Sequence, residues 1–199
     1  SICFKKLKKK KFDHKHINLI TVGRYTKYKK GFDLIPKIAS KLKERKIKFK
    51  WKIIGKNSNK IYEDNFIFKN KENIIPINNI ENENETYFPP KELLKHYLNA
   101  DLYVNLARIE SFGLTFIETL ACNTPIISFR STGINEILKD KKNGYFVNSL
   151  SDFINIINKI YLNKNFHKKI SLNCKKTVEK FDLNKNYIKL INFYKKFLN

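Results

Sequence analysis

Six short, mostly apolar runs, spaced by stretches that carry a helical stripe, limit what this chain can fold into more than any other feature. They are INLITVG (17–23), KFKWKIIG (48–55), NIIPI (73–77), DLYVNLA (101–107), PIISF (125–129) and GYFV (144–147). Runs this short and this apolar suit strands buried on both faces, as in a parallel sheet. Between the first two, GFDLIPKIASKLKERK (31–46) sets Phe32, Ile35, Ile38, Ala39 and Leu42 on a helical stripe, with Pro36 in its early turns. IYEDNFIFKN (61–70) reads as a helix and NNIENENE (78–85) as a polar loop. PKELLKHYLNA (90–100) and FGLTFIETLAC (112–122) read as helices, the latter starting near Phe112 with Ser111 placed to cap it. STGINEILKD (131–140) supplies a turn and short helix, and three more helices follow from Ser151. Strands alternating with helices predict an α/β fold: a Rossmann-like parallel sheet with helices on both faces. Residues 1–16, rich in lysine and without periodicity, read as a basic linker or tail, and 17–199 as the domain.

In such sheets ligands bind beyond the carboxyl ends of the strands. Gly23 and Gly55 end two strands and Gly113 opens a helix after a third, so all three fall on that edge. The loop VGRYTKYKKG (22–31) carries Arg24 and Lys30 there. A guanidinium forks onto phosphate oxygens while an ammonium acts as a mobile point charge, a pairing suited to a diphosphate. In ESFGLT (110–115) a helix start leaves backbone N–H groups free, and phosphates bind readily at such starts. Glu110 precedes that helix and Glu118 lies in its second turn, so the two flank the N–H groups at different depths. A carboxylate beside phosphate repels it unless aimed at neutral hydroxyls. Two carboxylates there suggest sugar on both sides of a diphosphate, as in a nucleotide-sugar.

The charge of +23 is the loudest number in the composition, yet only four of the 41 basic residues are arginine. The lysines are scattered and accompany abundant asparagine and isoleucine, which argues against nucleic acid and leaves peripheral attraction to an anionic membrane open. No apolar run is long enough to span a bilayer. Cys3, Cys122 and Cys174 are widely spaced and fit reduced thiols in a cytoplasmic setting, with Cys122 and Cys174 as core residues. His14 and His16 read as solvated, His96 and His167 as surface or boundary residues, and Trp51 as core. The final helix, with Ile188, Ile191 and Phe193 to Phe197 among lysines, is expected to pack in the ordinary way, the alternative being docking on a partner domain or contact with membrane.

The segments ITVGRYTKYKKGFDLI, KIIG, ELLKHYLNADLYVNLARIESFGLTFIETLACNTPIISFRSTGINEIL and KNGYFV, in that order, resemble the retaining glycosyltransferases of family 4. The most specific element is E-x7-E, Glu110 to Glu118 with FG between them. The resemblance covers nearly the whole chain from Ile17 and implies one half of a GT-B architecture, the C-terminal, donor-binding half. It implies that Arg24 and Lys30 hold the donor diphosphate and that Glu110 holds hydroxyls of the transferred sugar. Gly23 and the backbone at Phe112, Gly113, Leu114 and Thr115 would contact sugar and phosphate, Glu118 the ribose, and Phe88 the base. No metal or other cofactor is implied, and no D-x-D motif occurs. The acceptor, a glycan or lipid-linked molecule, would be held by an N-terminal domain that this sequence lacks. One departure is GKN at Gly55 to Asn57, where the family continues G-x-G. The competing reading is a non-catalytic Rossmann-like module holding nucleic acid or anionic membrane on its basic surface.

Overall fold

The computed structural model describes Lys9 and residues 15–64, 73–80 and 89–197. Six parallel strands form one sheet in the order β3-β2-β1-β4-β5-β6: β1 (Ile17–Val22), β2 (Phe49–Ile54), β3 (Ile74–Ile77), β4 (Leu102–Asn105), β5 (Ile126–Phe129) and β6 (Gly144–Val147). The chain starts in the middle, winds outward through β2 and β3, then returns to β4 on the other side of β1. The order therefore reverses between β1 and β4, and loops leaving those two strands diverge to open a crevice.

Helices close both faces, because the central strands β1, β4 and β5 bury side chains above and below. Helix α1 (Ile35–Glu44) follows a 3-10 turn at Phe32–Leu34 and buries Ile35, Ile38, Ala39 and Leu42 as its stripe requires. With α5 (Leu150–Leu162) it covers Leu19, Trp51, Ile53 and Val104. On the other face α3 (Lys91–Asn99), α4 (Leu114–Ala121) and α6 (Lys164–Val178) pack Tyr97, Phe116, Leu120 and Cys174 against Ile20, Ile54 and Tyr103. Trp51 is fully buried, and its indole N–H donates to Thr21 Oγ1 at 3.0 Å, whose hydroxyl donates on to Val104 O at 2.7 Å. These two core polar side chains are thereby partnered, as burial demands.

Several expectations need correction. His167 is buried, with Nε2 2.8 Å from Asp101 O, because α6 turns it onto the carbonyl at the start of β4. Helix α4 begins at Leu114, not Phe112; its cap is Gly113 at φ 80°, and no side chain, Ser111 included, caps it. The short helix after Ser131 is a 3-10 turn, Thr132–Ile134. Helix α7 (Leu183–Lys195) does not pack in the ordinary way: Tyr187, Ile188, Leu190, Phe193, Tyr194 and Phe197 are all more than half exposed. It meets the preceding 3-10 turn at Glu179–Phe181, and the sheet's faces are already covered by other helices.

Lys9 is half-buried and donates to Ala100 O and Thr124 Oγ1, both at 2.7 Å; desolvation pulls its ammonium down to about 8. The other residues up to His14, the part of the 61–70 helix beyond Asp64, the polar loop from Glu81 and Phe88 lie outside the described residues. Of that helix the described part is α2 (Lys60–Glu63). No helix among the described residues is long and apolar enough to cross a membrane.

Candidate functional site

The loops after β1 and β4 are fastened to one another. Arg108 makes a two-pronged ion pair with Asp33, at 2.8 and 2.9 Å, and donates to Tyr28 O at 2.6 Å. Its guanidinium also lies 4.1 Å from the centre of the Tyr28 ring, and its backbone N–H donates to Lys29 O. Hydrogen bonding to Arg108 holds the Asp33 carboxyl below the usual range, so the pair stays charged. This clamp brings Lys30 onto Glu110, with Nζ 2.7 Å from Oε2. Glu110 is only 14% exposed at its side chain and Lys30 29%, so the pair is half sheltered at the rim of the crevice.

Beside that pair stands the start of α4. The N–H groups of the first helical residues have no acceptor within the helix, and its dipole adds roughly 0.3–1 kcal/mol of preference for an anion. Leu114 and Phe112 are exposed, and Thr115 half-buried. The Phe112 ring meets Phe181 edge-on, centres 6.1 Å apart. Gly23 ends β1 with its N–H on Ile54 O at 2.8 Å; a Cβ there would meet nothing within 4 Å. Arg24 follows, exposed and without an ion-pair partner among the described residues.

Glu118 lies deeper. It is 5% exposed, on the inner face of α4, and Tyr97 donates a hydrogen bond from its hydroxyl to Oε2 at 2.9 Å. Burial pushes its carboxyl up to about 7, partly offset by that bond. Next to it Tyr103, fully buried, donates to Val22 O at 3.1 Å and lies 3.2 Å from Thr115 Oγ1. Tyr103 thus ties the end of β1 to the first turn of α4, while Tyr97 separately holds Glu118.

The raised carboxyl has a consequence for stability. Because the folded value exceeds the ordinary 4.5, the folded state holds the proton more tightly, and the associated stability is present below about 4.5 and lost as pH rises through about 7. Glu118→Gln, which never charges, should match wild type in melting temperature at the acid end and exceed it above about pH 7. A difference that stays flat with pH would contradict the assignment.

The structure therefore brings Lys30, Glu110, Gly113, Leu114 and Thr115 to one edge, with Gly23 and Arg24 on the adjoining loop. Glu118 sits below, not in contact with the ion pair. Asn57 takes φ 65° where the family pattern has glycine, a conformation asparagine tolerates, so the turn survives the substitution. Cavities of about 790 Å³ between α1 and α5 and about 530 Å³ below β2 lie away from these residues. Reading the sequence did not single out Arg108, Asp33, Tyr97, Tyr103 or Gly133. A Cβ on Gly133 would come 1.9 Å from Ser111 O and 2.6 Å from Glu110 O, so the turn after β5 backs the Glu110 loop directly. These roles depend on contacts between segments far apart in the chain, and no local pattern announces them.

Cations on the loop after β1, an acid–glycine turn after β4 and a second acid inside the helix, all on a six-stranded parallel sheet, define a glycosyltransferase domain of the GT-B type. Residues 4–177 match the family described as Glycosyl transferases group 1, and the chain belongs to it. Over 108 residues it is 34% identical to a probable sucrose-phosphate synthase of Thermosipho melanesiensis, covering 51% of this chain and 25% of that protein. The fold matches the C-terminal domain of the group 1 glycosyl transferase LpcC from Francisella tularensis (TM-score 0.67, 21% identity, 82% of this chain and 85% of that domain). It also matches the pneumococcal O-GlcNAc transferase GtfA, solved with UDP and GlcNAc (TM-score 0.68, 20% identity, 97% of this chain and 38% of that one). The chain thus spans a quarter of that curated relative's length.

Proposed function

We propose that this chain is the donor-binding, C-terminal half of a retaining family 4 glycosyltransferase, which moves a sugar from a nucleoside-diphosphate sugar to a glycan or lipid-linked acceptor. The observation that carries the reading is the Lys30–Glu110 pair held against the open start of α4, where the strand order reverses. A cation, a carboxylate and unpaired N–H groups converge there, which suits a sugar joined to a diphosphate. The likeness to a C-terminal domain solved alone and to an enzyme solved with UDP supports it.

In this reading the diphosphate lies across the α4 start, held by Leu114 and Thr115 N–H groups, Arg24 and Lys30. The cations offset the charge that grows on the leaving phosphate as the glycosidic bond breaks, and no protein nucleophile is needed. Glu110 receives hydroxyls of the departing sugar and Glu118 those of the ribose. Each such charge-assisted bond contributes about 1.5–3 kcal/mol. Phe88 would border the base. The acceptor would enter from a second domain facing this edge. No metal or cofactor takes part. The setting is cytoplasmic, with lysines free to attract an anionic membrane face.

A thermal-shift panel of UDP-, GDP- and ADP-sugars tests the reading, since a ligand that binds only the folded state raises the melting temperature. One of them should raise it by several degrees at a concentration of about 100 Kd, equivalent to roughly 2.7 kcal/mol. No shift with any, together with salt-sensitive binding to DNA or anionic vesicles, would replace it with the polyanion-binding reading.

A further inference from the structure

We propose that Tyr97 is a positioning residue for nucleotide binding, acting through Glu118: its hydroxyl fixes one carboxylate oxygen and leaves the other for the ribose. The inference rests on the assignment of Glu118 to the ribose and adds the residue that makes that carboxylate serviceable.

The geometry is specific. Tyr97 projects from the last turn of α3 and is completely buried among Tyr103, Phe116 and the inner face of α4. Its hydroxyl reaches Glu118 Oε2 at 2.9 Å, while Oε1 makes no hydrogen bond among the described residues. A carboxylate this buried is costly unless something donates to it. The groups facing it are Tyr97 from α3, Tyr103 from β4 and Cys122 at the end of α4. Burial pushes Tyr97 and Tyr103 well above their ordinary values and Cys122 to about 12, so all three stay neutral near pH 7 and none supplies positive charge. Among these neighbours, the Tyr97 O–H is the group that bonds the charged form.

Removing that hydroxyl therefore acts on Glu118 in two ways. The side chain is freer to rotate away from the crevice, and its proton is held more tightly. A protonated carboxyl is a weaker acceptor for ribose hydroxyls than a carboxylate. Tyr97→Phe keeps the ring and its packing, so these effects are separable from loss of fold.

The test uses the full chain, with affinity for UDP, GDP and ADP measured by calorimetry and the tightest carried through a pH series. Tyr97→Phe should bind about three- to tenfold more weakly near neutral pH, with the midpoint of its pH profile moved up by up to about one unit and the deficit shrinking at alkaline pH. Glu118→Gln should bind about tenfold more weakly and flatten the profile. In the Glu118→Gln background, Tyr97→Phe should add almost nothing, because the two residues act as one. A Tyr97→Phe deficit equal at every pH, or additive with Glu118→Gln, would overturn the inference while leaving Glu118 at the ribose. Wild-type affinity in Glu118→Gln would remove the ribose assignment and the inference with it.

Discussion

Lys30→Ala should weaken a nucleoside diphosphate about 10- to 100-fold, and more than Arg24→Ala does, although each deletes one cation. The difference lies in what each leaves behind. Arg24 is exposed and without an ion-pair partner among the described residues, so its loss removes an attraction and nothing else. Lys30 neutralises Glu110 at 2.7 Å, and Glu110 is mostly sheltered from water. Without the ammonium, an uncompensated carboxylate faces the same crevice that must accept the phosphates. Adding Glu110→Gln to Lys30→Ala should therefore recover part of the lost diphosphate affinity, although the same change lowers affinity for the complete donor by removing the sugar's acceptor. Calorimetry with the nucleoside diphosphate and then with its sugar separates these two effects. Equal losses for Arg24→Ala and Lys30→Ala, with no recovery in the double variant, would mean that Glu110 does not share the phosphate's surroundings.

Gly31→Ala should cost about 3–5 kcal/mol of stability, or roughly 10 °C in melting temperature. Gly31 stands at φ 70°, where an L side chain is strained by about 1–2 kcal/mol. The larger part is steric: the new Cβ would lie 2.0 Å from Leu106 O and 2.7 Å from Leu106 C, both backbone atoms that no rotamer change can move. The loop must lift off β4, and Lys30 lifts with it. Urea unfolding should show a lower midpoint, and whatever folded protein remains should bind donor poorly. A melting temperature within about 2 °C of wild type would show that the close approach of the two loops is not maintained in solution.

What the sequence made legible follows from where information sits. Strands buried on both faces declare themselves residue by residue, and INLITV or LYVN could hardly be anything else. The stripe of α1 and the proline at its start were equally local. Lys30, Glu110 and the helix opening at Gly113 could be placed on one edge because each closes or follows a strand, and parallel strands share an edge. The rest depended on contacts that the chain's order hides. Arg108 meets Asp33 from 75 residues away, and His167 finds the carbonyl of Asp101 from 66. Glu118 could be placed in the second turn of its helix, but neither its depth of burial nor its bond to Tyr97 could be read, since helical spacing reports direction and not depth. Helix α7 shows the same limit from the other side. Its apolar residues announced that something should be covered, but not that nothing in the described chain covers them.

A crystal structure of this chain with its nucleoside diphosphate tests most directly where the diphosphate sits. The phosphates should lie within hydrogen-bond distance of the Leu114 and Thr115 N–H groups and of Lys30, with the ribose toward Glu118. A nucleotide bound elsewhere on the molecule, for instance in the basic groove below β2, with the start of α4 and Lys30 untouched, would contradict it.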